Sequence, residues 1–114
     1  MTDCVRSTEK ALGKKLASLN VDGGACQSDF LMQFQADMFG FPLNRPPQIE
    51  MTALGAAYAG GIAVGFWTLD EVTKFWKLDR TFEPKMSEDE RESRYAQWLR
   101  AVSRAKDWAD KTKP

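Results

Sequence analysis

Asp22-Gly23-Gly24-Ala25 is the stretch of this chain whose residue types point most directly to a ligand. Two adjacent glycines without a Cβ can take φ > 0 and let a bound molecule lie against the main chain. Leu19 and Val21 precede them with the spacing of a buried strand, and Phe30, Leu31, Phe34 and Met38 follow with helical spacing. Strand, glycine turn and helix together bring backbone N–H groups and the positive end of a helix dipole toward a phosphorylated ligand. A plain tight turn joining two elements uses the same residues, so this stretch alone leaves both readings open. Asp22, Asp29 and Asp37 are of a type that suits general acid or base work. Each also has a structural use: Asp22 fixing the turn, Asp29 favouring the helix N-terminus, Asp37 lying on the exposed side. The chain has no G-x-x-x-x-G-K-[ST] and no G-x-G-x-x-G. Its composition and spacing name a backbone-lined ligand site and no catalytic residue or metal ligand.

The elements that must hold this turn can be read along the chain. Asp3 to Leu16 has a thin apolar stripe of Val5, Ala11, Leu12 and Leu16, which predicts a first helix. Ala17 to Val21 is expected to be a strand. Ser28 or Asp29 is placed to cap the next helix, which Gly40 and Pro42 stop. Phe41 and Leu43 suggest a second strand, and two strands separated by a helix imply a right-handed parallel crossover. Arg45-Pro46-Pro47 reads as a stiff link. From Met51 to Leu69 there are nineteen residues without a charge, long enough to be weighed as a membrane span. Glycines at 55, 60, 61 and 65 and the dominance of alanine favour a helix of small residues lying close to a sheet. Leu69 to Trp76 follows as a short amphipathic helix. After a loop around Phe82-Glu83-Pro84, Ser87-Glu88-Asp89-Glu90 matches a capping box. The long helix behind it is expected to bury Tyr95, Trp98, Leu99, Val102 and Ala105.

Composition narrows the function classes. The chain has 114 residues, with 16 basic and 16 acidic side chains that cancel, which removes the electrostatic case for nucleic acid or an anionic membrane surface. It has no histidine, which excludes a Ser-His-Asp or Cys-His system built from these residues and disfavours a zinc site. Cys4 and Cys26 have no C-x-x-C spacing and fit a reducing compartment, with a single disulfide between them as the alternative, and a cytoplasmic location is expected.

Three separated motifs carry a resemblance. VDGGACQSDFLMQFQADMFGFPLNRP, EMTALGAAYAGGIAVGFW and RTFEPKMSEDERESRYAQWLRAVSRAKDW resemble, in that order, the C-terminal end of the glycerol kinases in the FGGY family of carbohydrate kinases. The resemblance runs from about Leu16 to Trp108. It implies an α/β fold belonging to the C-terminal domain of the actin/hexokinase-like (ribonuclease H-like) ATPases, helix-rich, with about two parallel strands, and incomplete. It also implies ATP-dependent phosphorylation of glycerol with magnesium. Residues 1–114 would be a C-terminal piece of the nucleotide-binding domain, inactive alone, with ATP or ADP as its partner. Glycerol and the magnesium ligands would be met only through an N-terminal part, in a full-length protein that is a homo-oligomer. By the same resemblance Gly23, Gly24, Ala25 and Ser28 line the adenosine side of the nucleotide. Ser28 stands where the family usually has an asparagine, and Met51 replaces a threonine. Two other readings remain: a non-catalytic interaction or nucleotide-binding module, and a piece of another FGGY sugar kinase.

Overall fold

The computed structural model describes residues 1–48, 50–106 and 108. Its centre is a three-stranded sheet in the order β1-β2-β3, formed by Leu19–Asn20, Leu43–Arg45 and Arg80–Phe82. Strand β1 pairs with β2 in parallel, Leu19 beside Leu43 and Asn20 beside Asn44. Strand β3 pairs with β2 antiparallel, Leu43 beside Phe82 and Asn44 beside Thr81. Because side chains alternate along a strand, this register sorts the sheet into two faces. Leu19, Leu43 and Phe82 form an apolar row. Asn20, Asn44 and Thr81 form a polar one, in which Asn44 Nδ2 donates to Asn20 Oδ1 (3.3 Å) and Thr81 Oγ1 to Asn44 Oδ1 (2.9 Å).

The two expected parallel strands are therefore present, and a third, antiparallel strand adds to them and makes the sheet mixed. Arg80-Thr81-Phe82 has one apolar residue in three, too short a pattern to announce a strand, and its pairing partner lies far away in sequence.

Helix α2, Asp29–Phe39, covers the apolar row with Met32 and Ala36, one turn apart on one face. Val5 of helix α1 (Thr2–Leu12), Cys26 and Phe41 complete the core with Leu43 and Phe82. Leu43 and Phe82 are 0% and 2% exposed, and burying two such side chains contributes about 1.5–3 kcal/mol each. Helix α1 stops at Leu12, four residues before the expected end, because Gly13 takes the left-handed conformation (φ 65°).

Helices α3 (Met51–Ala63) and α4 (Leu69–Phe75) bury no residue. The expected close approach of α3 to the sheet does not occur. Of its small residues Gly61 packs on the turn that follows, where an added Cβ would strike the Trp67 ring, while Gly55 and Gly60 face open space. Tyr58, Trp67 and Phe75 then meet with ring centroids 5.6–6.0 Å apart, which joins α3 to α4. Thr68 and Glu71 form a reciprocal capping box at the start of α4. Among the described residues no helix is long and apolar enough to cross a membrane.

Helix α5, Glu88–Ala105, is capped by Ser87, whose Oγ accepts from the Glu90 N–H, but Glu90 turns its carboxylate to Arg94 and leaves that box half made. Its expected buried stripe is also corrected: no α5 residue is buried, and Trp98 and Leu99 are 53% and 46% exposed. Tyr95 and Trp98 instead clasp α1 by donating to the two oxygens of Asp3 (2.6 and 2.9 Å).

Candidate functional site

The chain leaves β1 at Asn20 and reaches α2 through a single 3₁₀ turn, Gly24–Gln27. Gly23 is the residue that needs to be glycine: its φ of 87° and ψ of 166° lie where an L side chain is strained. Gly24 has no positive φ, so the conformational demand falls on the first glycine of the pair. A Cβ added at either glycine meets nothing within 4 Å, so the backbone of the turn faces open space. The Cys26 N–H donates to the Gly23 carbonyl (3.0 Å) and the Ser28 N–H to the Ala25 carbonyl (3.2 Å). Among the described residues neither the Gly24 nor the Ala25 N–H has a protein acceptor outside the turn.

Below the turn everything is tied down. Cys26 is 3% exposed and its thiol donates to the Asp22 carbonyl (2.7 Å). Burial first, and the nearby Asp22 carboxylate second, push this thiol up from its ordinary pKa, which makes it an inert packing group. Ser28 is the N-cap of α2, its Oγ accepting from the Leu31 N–H (3.3 Å). Asp29 lies in the first turn of α2, as expected, and also receives Arg45 Nη1 (2.8 Å) and Arg80. The Arg45 hydrogen bond above all, reinforced by the Arg80 charge, holds the Asp29 carboxyl below the usual range. Asp37 is not a freely solvated residue. Its Oδ1 accepts from the Lys85 N–H (2.6 Å), the Met86 N–H (3.3 Å) and Gln33 Nε2 (3.0 Å). Asp29 and Asp37 thus have separate structural tasks, and Asp22 meets Cys26 through its main-chain carbonyl.

The structure brings Gly23, Gly24, Ala25 and Ser28 together on one surface strip. A shallow cleft of about 400 Å³ opens beside it, lined by Gln27, Arg45, Pro46, Pro47 and Asp79. The four strip residues are not part of that lining. Sequence reasoning treated Arg45 as the start of a stiff link and missed the arginine and aspartate that fasten the turn. An isolated arginine closing an apolar strand just before two prolines was the signal available. Among the described residues no three acidic or cysteine side chains come together to hold a metal ion.

The site is a glycine-containing turn between a parallel strand and a capped helix, with its main chain open on one side. The chain belongs to the FGGY family of carbohydrate kinases: residues 1–64 match the C-terminal domain of that family. Its relatives in the family include glycerol kinases. It is 52% identical over 111 residues to the glycerol kinase of Dechloromonas aromatica, covering 96% of this chain and 22% of that protein. It is 52% identical over 109 residues to the glycerol kinase of Caldanaerobacter subterraneus, covering 95% of this chain and 22% of that one. The chain therefore spans about a fifth of the length of the relatives it matches. Among solved structures, the Plasmodium falciparum glycerol kinase with ADP superimposes with a TM-score of 0.77 at 30% identity over 95% of this chain and 22% of that one. A Lactobacillus acidophilus xylulose kinase, at 23% identity and a TM-score of 0.60 over 82% of this chain and 19% of its own, shares the fold. The fold is that of the actin/hexokinase-like C-terminal domain, helix-rich with a small mixed sheet.

Proposed function

We propose that this chain supplies the adenosine side of the ATP site of a glycerol kinase, which transfers a phosphoryl group from ATP to glycerol to give glycerol 3-phosphate and ADP. The observation that carries the reading is the open backbone at Gly23 and Gly24, in a chain whose fold matches a glycerol kinase with ADP. Phosphoryl transfer needs little covalent chemistry from protein and much positioning, so one wall of a cleft has a defined job: to hold the nucleotide still. Gly23 sets the direction of the turn, and Gly24 and Ala25 present unencumbered main chain to the nucleotide. Ser28 uses an Oγ lone pair for the helix cap and keeps its hydroxyl proton for the adenine end. Residues 65–114 continue the same domain, since the similarity to glycerol kinases runs through them. Glycerol, magnesium and the general base are met through the remaining part of such an enzyme, a cytoplasmic homo-oligomer.

The test uses a full-length glycerol kinase with this segment as its C-terminal fifth. Gly24 is neither strained nor crowded, so Gly24→Val adds bulk on the open side at little cost to folding. The expected result is a KM for ATP raised about tenfold or more, corresponding to roughly 1.4 kcal/mol. The KM for glycerol and the melting temperature should barely move. An unchanged KM for ATP in well-folded protein ends the nucleotide assignment.

A further inference from the structure

We infer that Arg45, at the end of β2, is the residue that positions the nucleotide-binding turn. This rests on the reading of that turn given above. The Arg45 side chain is 14% exposed and its guanidinium serves three partners at once. Nη1 donates to the Cys26 carbonyl (2.9 Å) and to Asp29 Oδ1 (2.8 Å). Nε and Nη2 both donate to Asp79 Oδ2 (3.2 and 3.1 Å). The Cζ atom lies 5.2 Å from the centroid of the buried Phe82 ring. Cys26 and Asp29 stand on either side of the Gln27–Ser28 corner, where the 3₁₀ turn passes into α2. One side chain rooted in the sheet thus stakes the corner at both ends, while Asp79, next to β3, holds the guanidinium in plane from behind.

That geometry sets where the open face of Gly23–Ser28 sits relative to the sheet. The turn has few other ties to β2: the Val21 N–H reaches the Asn44 carbonyl (3.0 Å) before the glycines begin. A lysine could not substitute, because a single ammonium on a flexible stem cannot span a carbonyl and two carboxylates lying in different directions. A glutamine ends where the arginine Nε stands, so it loses the charge, the fork and the reach of both Nη groups.

The experiment uses the same full-length kinase with Arg45→Gln and Arg45→Lys, and reads two quantities. Amide hydrogen exchange across residues 24–28 is expected to quicken about tenfold in Arg45→Gln, since charge-assisted bonds to a carbonyl and a carboxylate are lost. Exchange in α1 and α5 should stay as it was. The KM for ATP should rise by about the same factor while the KM for glycerol holds, and Arg45→Lys should recover part of both effects. A merely structural arginine would lower the melting temperature and move neither the exchange pattern nor the KM ratio in the folded fraction. Unchanged exchange at 24–28, or faster exchange with an unchanged KM for ATP, overturns the inference. If Arg45→Gln does not fold, Asp79→Asn unties only the rear contact and should give smaller changes of the same sign; none there overturns it equally. Gly24→Val separates the two levels of the argument. If it leaves the KM for ATP unchanged, the nucleotide reading fails and exchange alone judges Arg45. If it raises the KM and Arg45→Gln does not, only the role of Arg45 falls.

Discussion

Helices α2 and α3 are of similar length, 11 and 13 residues, and sit in opposite surroundings. The sequence of α2 is mixed, with Gln33, Gln35 and Asp37 among its apolar residues, and it buries Met32 and Ala36 against the sheet. The α3 sequence is almost wholly apolar, and none of its residues is buried. The difference lies in pattern rather than in total hydrophobicity. In α2 Met32 and Ala36 repeat on one face between polar neighbours, so one orientation on the sheet is preferred even though Phe30 and Phe34 stay exposed. In α3 small apolar residues run all round, and the one face that gains partial cover, Met51, Leu54, Tyr58 and Gly61, turns to α4 and Trp67 and not to the sheet. The contrast extends to the neighbours: Phe82 beneath α2 is 2% exposed, whereas Val64 and Phe66 after α3 are 81% and 73% exposed.

The largest effect expected from this contrast is at Phe82. Phe82→Ala should cost about 3–5 kcal/mol in urea denaturation, while Phe66→Ala should cost less than about 0.5 kcal/mol because its ring has little cover to lose. Equal costs would erase the distinction between the two regions. Gly61→Val comes next. Its side chain must displace the Trp67 ring, an overpacking cost of about 1–3 kcal/mol that should stay local. Amide exchange should quicken in α3 and α4 and remain unchanged in α2 and the strands; a change spreading into the sheet would show that the two regions are one cooperative unit.

The smallest effect concerns the clasp between α1 and α5. Hydrogen bonds from Tyr95 and then Trp98 hold the Asp3 carboxyl below its ordinary range. A depressed folded pKa means that this contribution is fully present above the ordinary carboxylate range and lost as pH falls through the lowered folded value. The same bond pushes the Tyr95 hydroxyl up. Its contribution is therefore present below the ordinary tyrosine pKa and lost as pH rises through the raised folded value. Melting curves across pH should show a shallow decline at both ends that Asp3→Asn reduces, the acid-side part due to Asp29, Glu9 and Glu71 remaining. The α3–α4 pair has its own acid-side contribution, because the Thr68 N–H and hydroxyl hold the Glu71 carboxyl below its ordinary range. Asp3→Asn should leave that part in place, and a profile unaltered by Asp3→Asn would remove the clasp from the account.

Local signals were the legible ones. Ser28 as cap, Gly40 as stop and the spacing of Phe30, Leu31, Phe34 and Met38 marked α2, because capping and periodicity are properties of neighbouring residues. Phe30 nevertheless ended 82% exposed, since a helical period says that a face exists and not which residues lie at its centre. The glycine pair was visible for the same local reason, though not which of the two carries the positive φ. Strand β3, the Arg45–Asp79 tie and the docking of Tyr95 and Trp98 on Asp3 were not legible. Each joins residues at least thirty-four positions apart, and no short pattern encodes such a meeting. For the long helix the period was right and the inference of burial was wrong: a stripe needs a surface to lie on, and α1 offers a narrow one.

The stretch between β3 and α5 has no regular secondary structure, yet it is among the least adjustable parts of the chain. Gln33 Nε2 holds the Glu83 carbonyl (2.7 Å), and Asp37 holds the Lys85 and Met86 amides, so all these tethers come from one helix. The span from Glu83 to Met86 is fixed by the spacing of two side chains one turn apart on α2. An inserted or deleted residue there could not be taken up as slack and would release one end of the tether. Grafts, tags and tolerated length changes belong on exposed turns free of such ties, and a segment that looks like spare loop functions here as a ruler.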